Sequence, residues 1–345
     1  MTIYKRIGID TSKAHFTIHG IDHADRAVLR TTLRRRQFLD FFRKLPPTEI
    51  VMEACGASHH WARQLIALGH AVRLIPPQYV KPYVKRGKND DIDAAAVNEA
   101  GGRPDMRFVP VKSIERQAEG MLLKVRQALL DQRTALVNGL RGHAAEFGVV
   151  AAKGIRHVEP LLAEIANDAS IPAVGKEMFT ILGQQIAHLD EQLEELAAKV
   201  AAAHKANPVS QRLATIPGVG PITALTLANE IDPGSFRSAR HLAAWIGLTP
   251  RQHSTAGKQR LGGISKAGHE RLRALLVSGA MAVITATIRH GDAKAADWLR
   301  EMLRRKPRKL TAVALANKMA RIAWALMTRG ESYRAGGAPA VAACF

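Results

Sequence analysis

The order of short apolar runs in the first hundred residues constrains this chain most. Residues 6–10, 16–21 and 27–33 have the length and composition of three strands with turns between them. Residues 35–45 have helical spacing and stop at Pro46-Pro47. Residues 49–53 read as a buried strand, 58–68 as an amphipathic helix, and 71–75 as a further strand before Pro76-Pro77. Three strands followed by helix, strand, helix, strand is the order of a mixed α/β sheet. Residues 88–101 then read as a helix with Asn89 or Asp90 near its N-terminus.

Four acids punctuate this pattern. Asp10 ends the run Ile7-Gly8-Ile9, and Glu53 ends Ile50-Val51-Met52. Asp90 and Asp93 stand three apart, on one face of the expected helix. A carboxylate at the end of a buried strand is costly unless its charge is offset, and a divalent cation is a common compensation. Any one of these acids alone reads as a surface charge or a cap. Two ending apolar strands, followed by D-x-x-D on a helix, point instead to a metal site, with Mg²⁺ or Mn²⁺ the ions suited to such donors. Asp91 faces elsewhere and reads as a solvated charge of the first helical turn.

The protein around these acids is basic, with 50 Lys and Arg against 30 Asp and Glu, a net charge of +20. Such an excess points to nucleic acid or an anionic membrane surface. No apolar run in the sequence reads as the roughly 18 residues of a spanning helix, and the N-terminal residues lack the apolar stretch of a signal peptide. The expectation is a cytoplasmic, nucleoid-associated bacterial protein with no membrane partner. Cys55 and Cys344 make no disulfide framework, and Cys55 reads as a small packing residue.

Charge divides the chain in three: +7 over residues 1–110, −1 over 111–205 and +14 over 206–345. The expected domains are an α/β domain at 1–110, a helical region at 111–205, a basic helical domain at 206–330 and a disordered tail at 331–345. In the middle block, residues 113–147 have few breakers, and 176–204 carry apolar residues near helical period. These two helices suit an antiparallel hairpin or a coiled coil between chains.

The third block carries two further signals. Ile216-Pro217-Gly218-Val219-Gly220 has the form of a helix-hairpin-helix, whose glycines Gly218 and Gly220 permit close approach to a phosphate; a plain interhelical turn is the alternative. Residues 249–266 read as a loop that interleaves hydroxyls with Arg251, Lys258, Arg260 and Lys266, cations suited to phosphate. By chemistry alone Ser254 is a phosphate ligand before it is a nucleophile, since a nucleophilic serine needs activation. Arg304-Arg305-Lys306-Pro307-Arg308-Lys309 is a further basic cluster. His59-His60 reads as helix surface, and Trp245, Trp298 and Trp324 as core or interface.

Six segments together resemble the DEDD-type insertion-sequence transposases, the group that includes the Piv-type DNA invertases. They are Ile7–Lys13, Met52–Gly56, Lys88–Ala94, Ile216–Gly220, Gly247–Arg251 and Ile264–Gly268, in that order and over nearly the whole chain. The resemblance implies a RuvC-like domain of RNase H fold, a helical coiled-coil region and a C-terminal transposase domain. It matches Asp10, Glu53, Asp90 and Asp93 to the family's metal-binding tetrad. It also implies a C-terminal serine that joins covalently to DNA, a guiding bridge RNA and assembly as dimers or tetramers. Relatives often carry serine directly before glycine, whereas this loop reads Gln252-His253-Ser254-Thr255-Ala256-Gly257. Ser254 is the matched nucleophile, and Thr255 competes for the position.

The resulting expectation is a site-specific recombinase acting on donor and target DNA. Two rivals use the same residues: a RuvC-like endonuclease that hydrolyses DNA with a metal-bound water, and a nucleic-acid-binding protein without catalysis.

Overall fold

The computed structural model describes residues 3–85, 89–255, 258–290 and 297–334. By its contacts the chain divides into two units, Met1–Arg116 and Gln117–Phe345. The three charge blocks of the sequence thus fall on two contact units.

In the first unit, β1 (Arg6–Thr11), β2 (His15–Ile21) and β3 (Ala27–Arg34) form an antiparallel meander. A single 3₁₀ turn, Arg35–Gln37, leads into α1 (Phe38–Arg43), so the helix expected from residue 35 starts later. Then follow β4 (Glu49–Glu53), α2 (Ser58–Ala67), β5 (Ala71–Ile75), the single-turn α3 (Pro77–Val80) and α4 (Asp90–Gly101). β4 lies parallel to β1, and β5 parallel to β4, giving the order β3-β2-β1-β4-β5. This five-stranded mixed sheet is consistent with the RNase H-like fold that the resemblance implies.

Burial explains why β1 and β4 are so apolar. One face packs Ile7, Ile9, Phe16, Ile18, Ile50, Met52 and Leu74 against Phe38, Phe42, Trp61 and Leu65 of α1 and α2. The opposite face packs Val51 and Ile75 against Ala96, Val97 and Ala100 of α4. Strands covered on both faces lose the polar alternation of a half-exposed sheet. Each fully buried large side chain here contributes roughly 1.5–3 kcal/mol. The edge strand β3 keeps its alternation, with Leu29 and Leu33 packed inward and Val28, Arg30, Thr32 and Arg34 exposed.

The second unit is helical. α5 (Ile114–Glu146) and α7 (Ala173–Ala206) run antiparallel: Leu123 meets Val200, Arg133 pairs with Asp190, and Leu140 and Ala144 share a cluster with Phe179 and Ile186. Between them lies α6 (Val158–Asn167), which seats Leu161 and Ile165 in the same cluster. The sequence reading did not isolate α6, because a short helix between two long ones offers too few turns to show a period.

Next come α8 (Pro208–Leu213), α9 (Pro221–Glu230) and α10 (Ala239–Trp245). The segment read as a loop contains a short hairpin, β6 (Pro250–Gln252) with β7 (Leu261–Ile264), antiparallel. Both strands are largely exposed, so no apolar alternation marked them. α11 (Glu270–His290), α12 (Asp297–Arg305) and α13 (Arg308–Arg329) complete the unit. By length and apolarity the 20 residues Glu270–Arg289 of α11 would suffice to cross a membrane, contrary to the sequence reading. Its residues Leu272, Leu276, Ala280 and Ile284 are instead buried in a core shared with Ala316, Met319 and Ala323 of α13. A core helix and a spanning one can share the same length and apolar composition.

Candidate active site

The acidic site begins with a glycine. A Cβ at Gly8 would lie 2.5 Å from the Ala94 carbonyl oxygen and 2.6 Å from Asn98 Cβ, so α4 crosses β1 at a distance only glycine permits. Asn98 fastens the helix: its Nδ2 donates to the His19 carbonyl at 2.7 Å and to that of Arg6 at 3.3 Å. Arg6 donates back to the Asn98 carbonyl. Asn89 caps the helix start, its Oδ1 accepting from Asp91 N at 3.0 Å. That resolves the choice between Asn89 and Asp90 as cap.

This docking brings the first turn of α4 over the C-terminal end of β1. The carboxylates of Asp10, Asp90 and Asp93 offer oxygens within 4.8 Å of one another. Glu53 ends the parallel neighbour β4, one residue past the last β1–β4 pair, Ile9 with Met52. Its carboxylate lies outside that tight trio but is close enough for the charges of Asp10 and Asp93 to act on it.

Burial, then the charges of Asp93 and Asp90, push the Asp10 pKa above its ordinary value. Burial, then Asp10 and Asp93, raise that of Glu53. Among the described residues none of the four makes an ion pair. Half-buried Asp10, Glu53 and Asp93 with exposed Asp90, hard oxygen donors with no protein cation among the described residues, fit a divalent metal such as Mg²⁺ or Mn²⁺. Asp91 lines a cleft beside α4 instead. Cys55 is half-buried and its Sγ shares a hydrogen bond with Thr11 Oγ1 at 3.1 Å, which ties the segment after Glu53 to the end of β1. Lys88 lies outside the described residues.

The serine segment sits on the β6–β7 hairpin. His253 N donates to the Arg260 carbonyl, and Thr255 bridges to Lys258. Ser254 is exposed, and its Oγ accepts from Arg260 N at 3.3 Å. Arg251, Thr255, Lys258 and Arg260 are exposed around it; Ala256 and Gly257 lie outside the described residues. No side-chain base touches Ser254 among the described residues.

The base of this hairpin is tightly built. Cβ atoms at Gly247 and Gly268, both at positive φ, would meet the carbonyl oxygens of Ala267 and Trp245 at 2.2 Å and 1.8 Å. Lys266, at φ +54°, donates its N–H to the Gly247 carbonyl. Arg251 donates to the Ser265 carbonyl. Arg273 Nη1, from α11, donates to the carbonyls of Ile246 at 2.9 Å and Ala267 at 3.0 Å, holding both ends of the segment. Sequence reasoning passed over Arg273, because nothing marks one arginine on a helix as facing two carbonyls.

The turn between α8 and α9 separates its two glycines. At Gly218, φ +85°, a Cβ would lie 2.7 Å from the Gly279 carbonyl of α11, so this glycine is needed for helix packing. Gly220 is exposed at the N-cap of α9 with open space around it.

Two family models match the chain. The one for DEDD transposases of the IS110 group, described as a transposase, covers residues 7–148, and the one described as transposase IS116/IS110/IS902 family covers 210–295. A Sinorhizobium fredii protein named as transposase y4pF/y4sB is 53% identical over 95% of this chain and 85% of its own length. The transposase for insertion sequence element IS1111A of Coxiella burnetii is 40% identical over 96% of this chain and 92% of its own. A pilin gene-inverting protein of Moraxella lacunata is 27% identical over 80% and 82% respectively.

Proposed function

Because the chain belongs to the IS116/IS110/IS902 family of transposases, it is a DNA-transposing enzyme, and we propose that it works with a divalent metal at its acids and a serine nucleophile on the β6–β7 hairpin. The observation that carries the metal half is the convergence of Asp10, Asp90 and Asp93 carboxylates, with Glu53 beside them and no cation paired to any among the described residues. Asp10, Asp90 and Asp93 would hold Mg²⁺ or Mn²⁺, with Glu53 completing the set. A bound metal would supply Lewis-acid stabilisation of charge on the scissile phosphate.

Ser254 Oγ attacks the phosphorus. The new Ser–O–P bond forms as the phosphodiester bond to one deoxyribose oxygen breaks; that oxygen leaves as a hydroxyl, and the serine proton passes to solvent or to the leaving oxygen. The phosphoserine link conserves the ester, so a second DNA hydroxyl reverses the step and joins a new end without outside energy. Arg251, Lys258, Arg260 and Lys266 neutralise phosphate charge along the hairpin. Gly220, at the α8–α9 turn read as a helix-hairpin-helix, offers backbone contact to a neighbouring phosphate, with Gly218 shaping the turn. Inverting a gene, the act for which the Moraxella relative is named, requires cut ends to be rejoined. That supports exchange over hydrolysis.

The same reading includes a structured guide RNA from the element, a helical coiled-coil region in α5 and α7, assembly as dimers or tetramers, and action at the nucleoid. An RNA co-purifying with the protein tests the guide.

Hydrolysis by metal-activated water remains the rival, favoured by one observation: Ser254 has no side-chain base touching it among the described residues. The deciding experiment incubates the enzyme, element-end DNA and Mg²⁺, then resolves the products under denaturing conditions. A protein–DNA adduct lost in Ser254→Ala supports the serine. Strand exchange that survives Ser254→Ala removes it, and Thr255→Ala tests the neighbouring position.

A further inference from the structure

The register of the sheet sets a basic strand beside the acids. Asp10 pairs with Thr17 of β2, and Thr17 with Thr32 of β3. Cross-strand partners share a sheet face, so Asp10, Thr17 and Thr32 form one lateral row. At a strand spacing of about 4.8 Å, Thr32 stands about 10 Å from Asp10. Residues two apart on a strand also share a face, so Arg30 and Arg34 flank Thr32 on that side, spaced about 13 Å apart.

The edge strand is exposed on this face. Arg30, Thr32 and Arg34 are exposed, whereas Thr17 in the same row is buried. Among the described residues neither Arg30 nor Arg34 forms an ion pair. Arg30 also lines a cleft of about 870 Å³ that runs beside α4 past His19 and Asp91. The cleft's other charges are partly spent within it, as Lys5 pairs with Asp25 and Arg103 with Glu99.

A strand face with two guanidinium groups free of ion pairs among the described residues, and a hydroxyl between them, matches a polyanionic backbone, which those donors contact without reading sequence. The acids alone repel such a backbone, so a cationic shelf beside them is what presents it. We propose that the exposed face of β3, through Arg30, Thr32 and Arg34, seats the sugar–phosphate backbone of the DNA strand presented to Asp10, Asp90 and Asp93. This rests on the reading of those acids as the cleavage site.

The test measures binding of the full-length protein to a short fluorescent DNA duplex across a range of KCl, in EDTA. Each phosphate contact contributes about 0.9 to the slope of log affinity against log salt. The double variant Arg30→Gln/Arg34→Gln lowers the slope by about 1.8 and the affinity by about tenfold, and Arg30→Lys/Arg34→Lys retains most of both. Thr32→Glu, a change at an exposed position, weakens binding about tenfold. Because the measurement is made without metal and reads only binding, failure of the metal reading leaves this result untouched. An unchanged slope in the Gln variant, or wild-type affinity in Thr32→Glu, overturns the proposal. So does a slope that changes only with an RNA duplex in place of DNA.

Discussion

Gly8 of β1 and Ala94 of α4 approach so closely that a Cβ on the first would sit 2.5 Å from the carbonyl oxygen of the second. The obstacle is helix backbone, which cannot swing aside as a side chain can. Gly8→Ala therefore lifts α4 and carries Asp90 and Asp93 away from Asp10. The expected cost is about 1–3 kcal/mol of stability, the range of overpacked cores. Mn²⁺ affinity, read by calorimetry, falls at least about tenfold, the loss that follows a disturbed ligand shell.

The acids oppose one another when no metal is present. Burial and two neighbouring aspartates hold the Asp10 pKa above its ordinary 3.8. The folded chain thus binds this proton more tightly than the unfolded chain, and stability falls as pH rises from 3.8 through the raised value. In EDTA at neutral pH, Asp10→Asn melts higher than wild type by about 2–4 °C. The difference closes as the pH approaches the ordinary carboxylate range. Mg²⁺ reverses the order, stabilising wild type and leaving Asp10→Asn unmoved. A thermal-shift series over pH, with and without Mg²⁺, reads all three effects.

Arg273 holds both ends of the serine hairpin through the carbonyls of Ile246 and Ala267. Arg273→Ala leaves two carbonyls at a tight corner unserved, at about 1–3 kcal/mol. DNA affinity stays within about twofold, while adduct formation slows at least about tenfold, as expected when a reacting group loses its placement. A gel-shift titration beside a single-turnover adduct assay separates the two.

Gly279 and Gly218 touch backbone to backbone, a Cβ at Gly279 falling 2.0 Å from the Gly218 carbonyl. Gly279→Ala pries α11 from the α8–α9 turn and costs about 1–3 kcal/mol. Gly220→Ala, in open space at an N-cap, costs at most about 1 kcal/mol. Urea denaturation of the two variants reads the contrast.

The sheet was legible because its strands are short, apolar and separated by prolines or turns. The register that sets Thr32 in line with Asp10 was not, since no local pattern records which residues face each other across strands. Asp90 and Asp93 were legible as one helical face, and Asp91 as pointing elsewhere. Glu53 shows a limit: its position at a strand end was readable, but its place just outside the tight trio depends on how α4 docks. The β6–β7 hairpin escaped notice because exposed polar strands lack the alternation that burial imposes. α11 was legible as a helix, but not as one whose length and composition would also suit a membrane; only its burial of Leu272, Leu276, Ala280 and Ile284 in the core separates the two.

The most direct test of the metal-dependent account is cleavage of element-end DNA across a Mg²⁺ titration by wild type, Asp10→Asn and Asp93→Asn. Cleavage by wild type that requires Mg²⁺ or Mn²⁺, and falls at least about a hundredfold in both variants, is the predicted result. Cleavage that persists in EDTA, or that Asp93→Asn leaves intact, would contradict it.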